Sequence, residues 1–398
     1  MSSANLLVVG GGLVGLATAY QALRAAPGLE VLVVEKEAKV AQHQSSHNSG
    51  VLHAGVYYAP QSLKARLCTA GKRELEAFAP EHGIRVERNS KLVVAVRESE
   101  LPALERIAEN ARANLVEGVV ELDDDAFREV EPSARGLRAV YSPGTGVVDF
   151  AAVAVALADE ICARGGRVVF NAEVKFLAER SSAVRVVTTA GDFEAARVIT
   201  CGGLQSDRLA ALTDQAEGVR IVPFRGRWYE LSTKAAELCR GHIYPVPDPR
   251  MPFLGVHVSR RIDGTVWAGP NAVLAAGREV YGRGVDARDL ANTLSYAGFW
   301  RLARRYAAVG AREMLEDQMR RAYLRRVREY LPDVELADLC TRHVGVRAQA
   351  VSKDGALVDD FVIRSSARVT HVVNAPSPGA TSCLAIGRHL ISMADLDG

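Results

Sequence analysis

The chain has 398 residues, enough for two or three domains with a sizeable core. Its 49 lysines and arginines against 47 aspartates and glutamates give a net charge of +2, which disfavours nucleic acid as a partner. No apolar run approaches the roughly 20 residues that cross a bilayer, and the first strand begins too early to leave room for a signal peptide. The six cysteines form no Cys-x-x-Cys pair, which indicates free thiols in a reducing compartment. These features predict a cytoplasmic globular protein.

The first motif is a short apolar strand, residues 6–9, that runs into a glycine-rich turn. Gly10, Gly12 and Gly15 stand at the Gly-x-Gly-x-x-Gly spacing. In this motif the first glycine allows a tight turn, the second lets the backbone approach a pyrophosphate, and the third lets a helix pack on the sheet. That helix is predicted over residues 13–23, with its N-terminal N–H groups facing the diphosphate.

A second strand, residues 30–34, ends at Glu35. This acid stands about 20 residues after the last glycine, where a carboxylate accepts the ribose hydroxyls of a dinucleotide. A glycine motif alone is weak evidence, and its alternative is a turn that binds nothing. The order strand, glycines, helix, strand and acid nevertheless predicts a domain that binds an adenine dinucleotide.

The dinucleotide motif does not by itself distinguish NAD from FAD. No second Gly-x-Gly-x-x-Gly follows, which disfavours an enzyme with one such fold for each cofactor. After Glu35 the sequence leaves the regular strand–helix pattern: a polar loop, residues 42–50, leads into residues 51–58. Hydroxyls, amides and glycine suit contacts to phosphate, ribityl and flavin edge, so FAD is the favoured cofactor.

Several blocks of the chain resemble one known family. They are residues 47–58, 62–65, 171–174, 223–226, 243–249, 251–257, 269–275, 345–350 and 374–382. On these residues the chain resembles the FAD-dependent L-2-hydroxyglutarate dehydrogenases/oxidases, within the D-amino-acid-oxidase/glycine-oxidase superfamily. One departure stands at Arg227 and Trp228, where an acidic residue and an aromatic one are expected.

The resemblance implies an α/β (α+β) fold, in which a Rossmann-like FAD-binding domain carries a mixed-sheet substrate domain, as in glycine oxidase. The FAD-binding domain is expected to be discontinuous, over residues 1–90, 145–215 and 340–398. The substrate-binding domain is expected over residues 91–144 and 216–339.

The resemblance also implies which residues contact FAD. The expected contacts come from the glycine turn and second strand, the polar loop, two further strand ends and a C-terminal loop: Gly10, Gly12, Gly15, Glu35, Lys36, Ser46, His47, Asn48, Ser49, Val174, Gly202, Pro376, Gly379, Ala380 and Thr381. The C-terminal loop opens a last helix, predicted over residues 382–393. In the superfamily this helix N-terminus stabilises negative charge on the reduced flavin.

Oxidation of a 2-hydroxy acid needs a cationic clamp for the carboxylate, a base for the hydroxyl proton, and the C2 hydrogen aimed at flavin N5. A bidentate clamp favours arginine over lysine. The resemblance places Arg347 first and Arg225 second, with a structural ion pair as the alternative for Arg225. Arg260 and Arg278 are weaker candidates for the distal carboxylate. Tyr244 is expected to donate its hydroxyl to a carboxylate, against a packing role.

Histidine has the pKa that suits the base, and nine histidines compete for this role. His257 is predicted as the base or a substrate ligand, and His53 as a residue that lines the active site. The turn around His53 also resembles the site where dimethylglycine dehydrogenases tether FAD, so a histidyl–flavin bond is an alternative. His43, His47 and His53 have no common metal-ligand spacing, and no metal is predicted.

These observations predict a flavoprotein that oxidises L-2-hydroxyglutarate, a 2-hydroxy dicarboxylate, to 2-oxoglutarate. Hydride would pass from C2 to FAD N5, and electrons then to quinone or oxygen. The alternatives are an FAD-dependent amine or N-methyl amino-acid oxidase, and a dinucleotide-binding protein without redox chemistry. The basic stretch 312–330 predicts a helix with a solvated face. Its alternative is a peripheral contact with the inner face of the cytoplasmic membrane, because family members deliver electrons to the quinone pool.

Overall fold

A computed structural model describes residues 2–248, 251 and 253–394 of the chain. The strands in chain order are β1 (Ser2–Val9), β2 (Val31–Val34), β3 (Val51–Leu52), β4 (Val86–Arg88), β5 (Lys91–Ala95), β6 (Val120–Asp123), β7 (Arg138–Ser142), β8 (Gly146–Val148), β9 (Arg167–Val169), β10 (Val174–Glu179), β11 (Val184–Thr188), β12 (Gly191–Thr200), β13 (Val219–Leu231), β14 (His242–Pro245), β15 (His257–Arg260), β16 (Val266–Gly269), β17 (Val273–Leu274), β18 (Leu339–Ser352), β19 (Val362–Ser365) and β20 (Val369–Asn374). The helices are α1 (Leu13–Ala25), α2 (Leu63–Glu81), α3 (Leu101–Ala113), α4 (Asp124–Val130), α5 (Phe150–Ala163), α6 (Ser206–Ala211), α7 (Thr233–Ala236), α8 (Ala287–Leu294), α9 (Ala297–Arg305), α10 (Ala307–Gln318), α11 (Arg320–Val327) and α12 (Cys383–Met393).

The first sheet is built around β1, which pairs in parallel with β2 on one side and β12 on the other. β9 extends this parallel arrangement beyond β2, and β20 extends it beyond β12. β10, β11 and β19 add antiparallel pairings to the same sheet. β2 is buried along its whole length, as expected for a parallel strand that is covered on both faces.

The two ends of the chain pack into one unit on this sheet. α12 lies against α1 so closely that a Cβ added at Gly387 would stand 2.6 Å from the carbonyl oxygen of Ala17. α1, α5 and α12 share one apolar core, which includes Leu16, Leu157 and Leu384. The first and last segments of the sequence therefore fold together around the turn that follows β1.

The second sheet is mixed and has the strand order β17, β13, β16, β15, β14, β5, β7 and β6, with β18 beside β13. β14 and β5 pair in parallel. β13 and β18 form a long antiparallel pair, in which Val219 lies opposite Ser352 at one end and Leu231 lies opposite Leu339 at the other. A small third sheet joins β3, β8 and β4. The predicted fold class, a Rossmann-like unit with a mixed-sheet unit, is confirmed, and the domain boundaries stay a prediction.

The helices predicted over 13–23 and 382–393 are confirmed within two residues by α1 and α12. The single helix expected over 312–330 is wrong, because α10 ends and α11 begins around an extended Met319. The two helices are held differently. α10 buries the acidic side chains of Glu313 and Asp317, whereas α11 buries an apolar face that includes Tyr323 and Val327. The backbone changes direction between the two helices, at Met319. In the described part of the chain, no helix is long and apolar enough to cross a bilayer.

Candidate active site

A cavity of about 1890 Å³ extends from the carboxyl ends of β1 and β2 to the middle of the mixed sheet. Ligands of open α/β sheets bind outside the carboxyl ends of parallel strands, which is where this cavity begins. Its first part is here named the dinucleotide region, after Gly10, Gly12 and Glu35. Its second part is named the substrate region, after His53, Tyr244, His257 and Arg347. All these residues line the one cavity.

The glycine turn of the dinucleotide region cannot accept larger residues at two positions. Gly10 has a φ of +113°, and a Cβ there would stand 2.5 Å from the Cys201 carbonyl oxygen. A Cβ at Gly15 would stand 2.0 Å from the carbonyl oxygen of Gly10. Gly15 does not line the cavity; it lets α1 approach the end of β1. The turn thus brings the N-terminus of α1 to the cavity, where the end of a helix can bind a phosphate.

Glu35 lies at the end of β2 and is almost fully buried. Its two carboxylate oxygens accept the backbone N–H groups of Gly11, at 2.5 Å, and Glu37, at 2.8 Å. The next residue, Lys36, also lines the cavity, and its ammonium binds Glu279 at 2.9 Å and contacts His43 Nε2 at 3.0 Å. An acid oriented by backbone donors at this place fits the ribose of an adenine dinucleotide.

In the polar loop, His47, Asn48 and Ser49 line the cavity, as predicted for cofactor contacts. Ser46 does not: it is exposed, and its hydroxyl donates to the His43 carbonyl at 3.2 Å. Its neighbour Ser45 lines the cavity instead, and its hydroxyl oxygen accepts the N–H of Leu13 at 3.0 Å. The motif alone did not predict Ser45, because its role depends on how the loop folds over the start of α1.

The other predicted cofactor residues lie on strands and loops far apart in the sequence. Val174, Gly202, Pro376, Gly379, Ala380 and Thr381 all line the cavity. Thr381 joins the two halves of the site, because its hydroxyl oxygen accepts the backbone N–H of His53 at 3.1 Å. The glycine turn, the oriented acid and a helix N-terminus at one end of a long cavity fit FAD.

The centre of the substrate region is a stack of two rings. His257, only 7% exposed, lies with its ring centroid 3.9 Å from that of Tyr244. His257 Nδ1 donates to the Gly255 carbonyl at 3.2 Å, since a carbonyl can only accept. Burial lowers the pKa of His257 to about 3, so the ring is neutral. Its Nε2 therefore carries a lone pair and makes no hydrogen bond within the part of the chain described.

Arg347 enters the same region from β18, opposite Phe224 on β13. Its guanidinium lies over the ring of Phe253, 4.8 Å from the centroid. The side chain is exposed, although it lies deep in the protein, because it lines the cavity. Among the described residues, none forms a hydrogen bond or ion pair with its side chain. Arg347 is thus a cation without an ion-pair partner among the described residues, and it lines a space that can hold an anion.

Arg225, predicted as a second substrate ligand, does not line the cavity. Side chains of β13 alternate between two faces, so that Phe224 and Trp228 face the cavity while Arg225 and Arg227 point away. The two arginines bind one carboxylate oxygen of the buried Asp317, at 3.0 and 3.2 Å. Arg227, which departs from the family pattern, is therefore paired with Asp317 outside the cavity.

Arg260 is also placed away from the cavity, for the same reason. His257 and Arg260 lie on opposite faces of β15, and the Arg260 guanidinium donates to the carbonyls of Ala236, Cys239 and Gly264 at 2.7 to 3.1 Å. Arg278, the weaker candidate, is fully buried against Asp207. Arg225, Arg260 and Arg278 do not line the cavity, and the strand geometry thus corrects the predictions that Arg225 and Arg260 bind substrate.

Lys91 was missed by sequence reasoning. It is the first residue of β5, only 1% exposed, and its Nζ lies 3.4 Å from His53 Nδ1. The available signal was a lysine at the start of an otherwise apolar strand, Lys91–Ala95, every residue of which is buried.

Comparisons with known proteins agree with this geometry. The FAD dependent oxidoreductase (DAO) family model matches residues 5–393. The chain is 42% identical to an L-2-hydroxyglutarate dehydrogenase of Escherichia coli strain K12, over 98% of this chain and 92% of that protein. It is 40% identical to the mitochondrial L-2-hydroxyglutarate dehydrogenase of Homo sapiens, over 97% of this chain and 87% of that protein.

Solved structures show the same fold. L-alpha-glycerophosphate oxidase from Mycoplasma pneumoniae, with FAD bound, superimposes with a TM-score of 0.79 at 22% identity, over 99% of this chain and 95% of that one. Glycine oxidase from Geobacillus kaustophilus gives a TM-score of 0.73 at 21% identity, over 100% and 95%. The cavity, its glycine turn and these matches lead to one conclusion: the chain belongs to the DAO family of FAD-dependent oxidoreductases.

Proposed function

We propose that this protein oxidises L-2-hydroxyglutarate to 2-oxoglutarate, with hydride passing from C2 of the substrate to N5 of FAD. The observation that carries the proposal is the pairing, in one cavity, of the cation Arg347 with the neutral His257. A 2-hydroxy acid offers the carboxylate that such a cation binds and the hydroxyl proton that such a base accepts. The names of the relatives at about 40% identity identify the dicarboxylate.

Arg347 would bind the C1 carboxylate of the substrate. Its guanidinium lies over the ring of Phe253, and no described residue takes its N–H donors, so they remain for a bidentate contact. The enclosing walls of the cavity lower the pKa of Arg347, the charge of Asp359 opposes this shift, and a bound carboxylate would favour the charged form further. FAD, when bound, supplies the hydride acceptor.

His257 would accept the hydroxyl proton through Nε2. The hydrogen bond from Nδ1 to Gly255 fixes the tautomer, so that the lone pair lies on the nitrogen that remains for a ligand. The low pKa of the His257 ring applies to the site while no anion is bound beside it. A bound dianion would raise this pKa toward the working pH, because a nearby negative charge favours the imidazolium.

The test is an anaerobic titration of the purified protein with L-2-hydroxyglutarate, followed in the visible absorption bands of the flavin. Bleaching by the L enantiomer and not by the D enantiomer is the expected result. Sarcosine, glycine and D-amino acids serve as matched alternatives. Bleaching by one of these and not by the hydroxy acid would replace the proposed function with amine oxidation.

We also propose that the electrons pass to a quinone, with oxygen as a less efficient acceptor, at the inner face of the cytoplasmic membrane. α9 to α11 expose large apolar side chains, Trp300, Met314, Leu315 and Met319. Met319 lines a shallow groove together with three arginines. Arg321 and Arg325 belong to α11, and Arg328 directly follows that helix. Apolar residues among cations suit an anionic lipid surface.

Flotation with lipid vesicles tests this contact. The protein should float with vesicles that contain anionic lipid, remain behind with zwitterionic vesicles, and be released by salt. Arg321→Glu combined with Arg325→Glu should abolish flotation without changing flavin reduction by substrate. A protein that reduces a soluble quinone yet ignores both kinds of vesicle would contradict the membrane contact alone.

A further inference from the structure

Lys91 is buried at the back of the substrate region, and none of the described residues supplies it with a counter-charge. Its Nζ lies 3.4 Å from His53 Nδ1 and 4.2 Å from the centroid of the Tyr244 ring. No described carboxylate forms an ion pair with it. A buried lysine is normally paired, so an unpaired one beside a cavity points to a functional reason for its place.

The groups that face Lys91 from the surrounding elements are all neutral. They come from the turn after β3, from α2, from β14 and from β15: His53, Tyr57, Cys68, His242, Tyr244 and His257. Burial lowers the pKa of Lys91 to about 7, and the Cys68 thiol opposes this shift. As an ammonium the lysine has three N–H donors and no acceptor, whereas the neutral amine keeps two N–H donors and gains a lone pair.

A contact with the ammonium form of Lys91 determines where His53 carries its proton, because an ammonium can only donate. Burial, and next the charge of Lys91, hold the pKa of His53 well below its usual value, so the ring is neutral and has one N–H. When Nδ1 accepts a hydrogen bond from Lys91, the proton must be on Nε2. His53 lines the cavity, and within the described chain Nε2 has no partner. His53 is then a hydrogen-bond donor toward a ligand.

His257 has the opposite arrangement. Its Nδ1 carries the proton and donates to Gly255, so its Nε2 is an acceptor. Two neutral histidines in one cavity thus differ in function because the group behind each is different: an amine that donates for His53 and a carbonyl that accepts for His257.

We propose that Lys91 is a positioning residue that holds His53 as a hydrogen-bond donor to the substrate, in the same cavity in which His257 is the acceptor. This inference rests on the proposed function, because a 2-hydroxy acid needs both groups. His257 takes the hydroxyl proton, and the C2 hydrogen leaves with its electron pair to the flavin. The N–H of His53 stabilises the negative charge that develops on an oxygen of the substrate, without transferring its proton.

The first test reads the tautomer directly and needs no substrate. In the 15N NMR spectrum of histidine-labelled protein, protonated and unprotonated ring nitrogens have widely separated shifts, and His53→Asn identifies the signals of His53. We expect the Nε2–H tautomer in the wild type and in Lys91→Gln, which keeps an N–H donor. Lys91→Met, which has the length but no donor, should give a mixture of tautomers. An unchanged His53 spectrum in Lys91→Met would overturn the inference.

The second test separates positioning from a merely structural role. In anaerobic stopped-flow experiments, the flavin of Lys91→Met should be reduced by substrate about 10- to 100-fold more slowly than that of the wild type, with little change in KM. This loss is no larger than the roughly 10²- to 10³-fold loss that follows removal of an oxyanion donor itself. Lys91→Gln should recover most of the rate. Lys72→Met is the matched control, because Lys72 is paired with Glu76 and does not line the cavity.

The outcomes remain distinguishable from failure of the proposed function. If the flavin of the wild type is not reduced by L-2-hydroxyglutarate, the proposed substrate is wrong. The measurement of the His53 tautomer does not depend on that result. Equal losses of rate in Lys91→Gln and Lys91→Met, with similar losses of thermal stability, would show a structural lysine. Flavin that stays attached to His53 through Nε2 after denaturation would contradict the donor role.

Discussion

The two regions of the cavity are built in different ways. In the dinucleotide region, Gly10, Gly12, Glu35 and Ser45 belong to one strand–helix–strand unit and the loop after it. In the substrate region, the side chains come from separate strands and turns that the mixed sheet brings together. A phosphate can be bound by backbone N–H groups, which a short motif suffices to arrange. A small dicarboxylate needs particular side chains, and their directions depend on strand register.

The electrostatics of the regions differ as well. Lys36 in the dinucleotide region is surrounded by carboxylates, among them Glu37 and Glu279. In the substrate region, no described carboxylate forms an ion pair with Arg347 or Lys91, although the charge of Asp359 acts on Arg347, and the histidines of this region are neutral. The cation of the first region is therefore paired within the protein, whereas the cations of the second have no ion-pair partner in the described chain.

The largest effect is expected from a substitution that disrupts the backbone of the dinucleotide region. Gly15→Val would place a side chain 2.0 Å from the Gly10 carbonyl oxygen, so that α1 can no longer approach β1. The purified variant should contain no flavin, as measured by the ratio of visible to ultraviolet absorbance. Gly144→Ala is the control, because no atom lies within 4 Å of a Cβ there. A yellow Gly15→Val protein would mean that this turn does not hold the cofactor.

The next effect breaks the substrate region while sparing the cofactor. His257→Asn removes the proton acceptor and should slow flavin reduction by about 10²- to 10⁴-fold, the usual contribution of a general base. Flavin content should remain that of the wild type. His389→Asn, on α12 outside the cavity, serves as control. Near-normal reduction in His257→Asn would exclude this histidine as the base.

A smaller effect sharpens the comparison between arginines inside and outside the cavity. Arg347→Met removes the carboxylate clamp and should raise KM about 100-fold, since each hydrogen bond between charged groups contributes about 1.5–3 kcal/mol. Arg260→Met should leave KM unchanged and lower the melting temperature, because three carbonyls lose their donor. The reverse pattern in steady-state kinetics would restore Arg260 as a substrate ligand.

The smallest effect concerns pH and stability. The folded protein holds the pKa of His257 at about 3, below the usual 6.5, so folding favours the neutral ring. This contribution is fully present above pH 6.5 and is lost as the pH falls from about 6.5 toward 3, where the unfolded chain binds the extra proton. In thermal melts, His257→Asn should therefore lose less stability than the wild type between pH 7 and pH 5. Parallel curves for the two proteins would argue against a neutral, buried His257.

Much of the cofactor site could be predicted from the sequence because its signals are local. The glycine spacing, the acid after the second strand and the polar loop occupy neighbouring positions, and the matched family follows the same pattern. Ser45 and Ser46 mark the limit of such prediction, since only the folded loop shows which hydroxyl turns toward α1. Lys91 was missed because the sequence does not show which side chains will surround a buried amine.

The sequence alone determined the fold class, the dinucleotide motif and the types of residue that the chemistry requires. The tertiary structure decided which of the arginines and histidines meet. Arg225 and Arg347 lie on strands that pair with each other, yet one faces an internal acid and the other faces the cavity. The physical reason is that strand side chains alternate with a period of two, so their direction follows from pairing and register, which depend on residues far away in the chain.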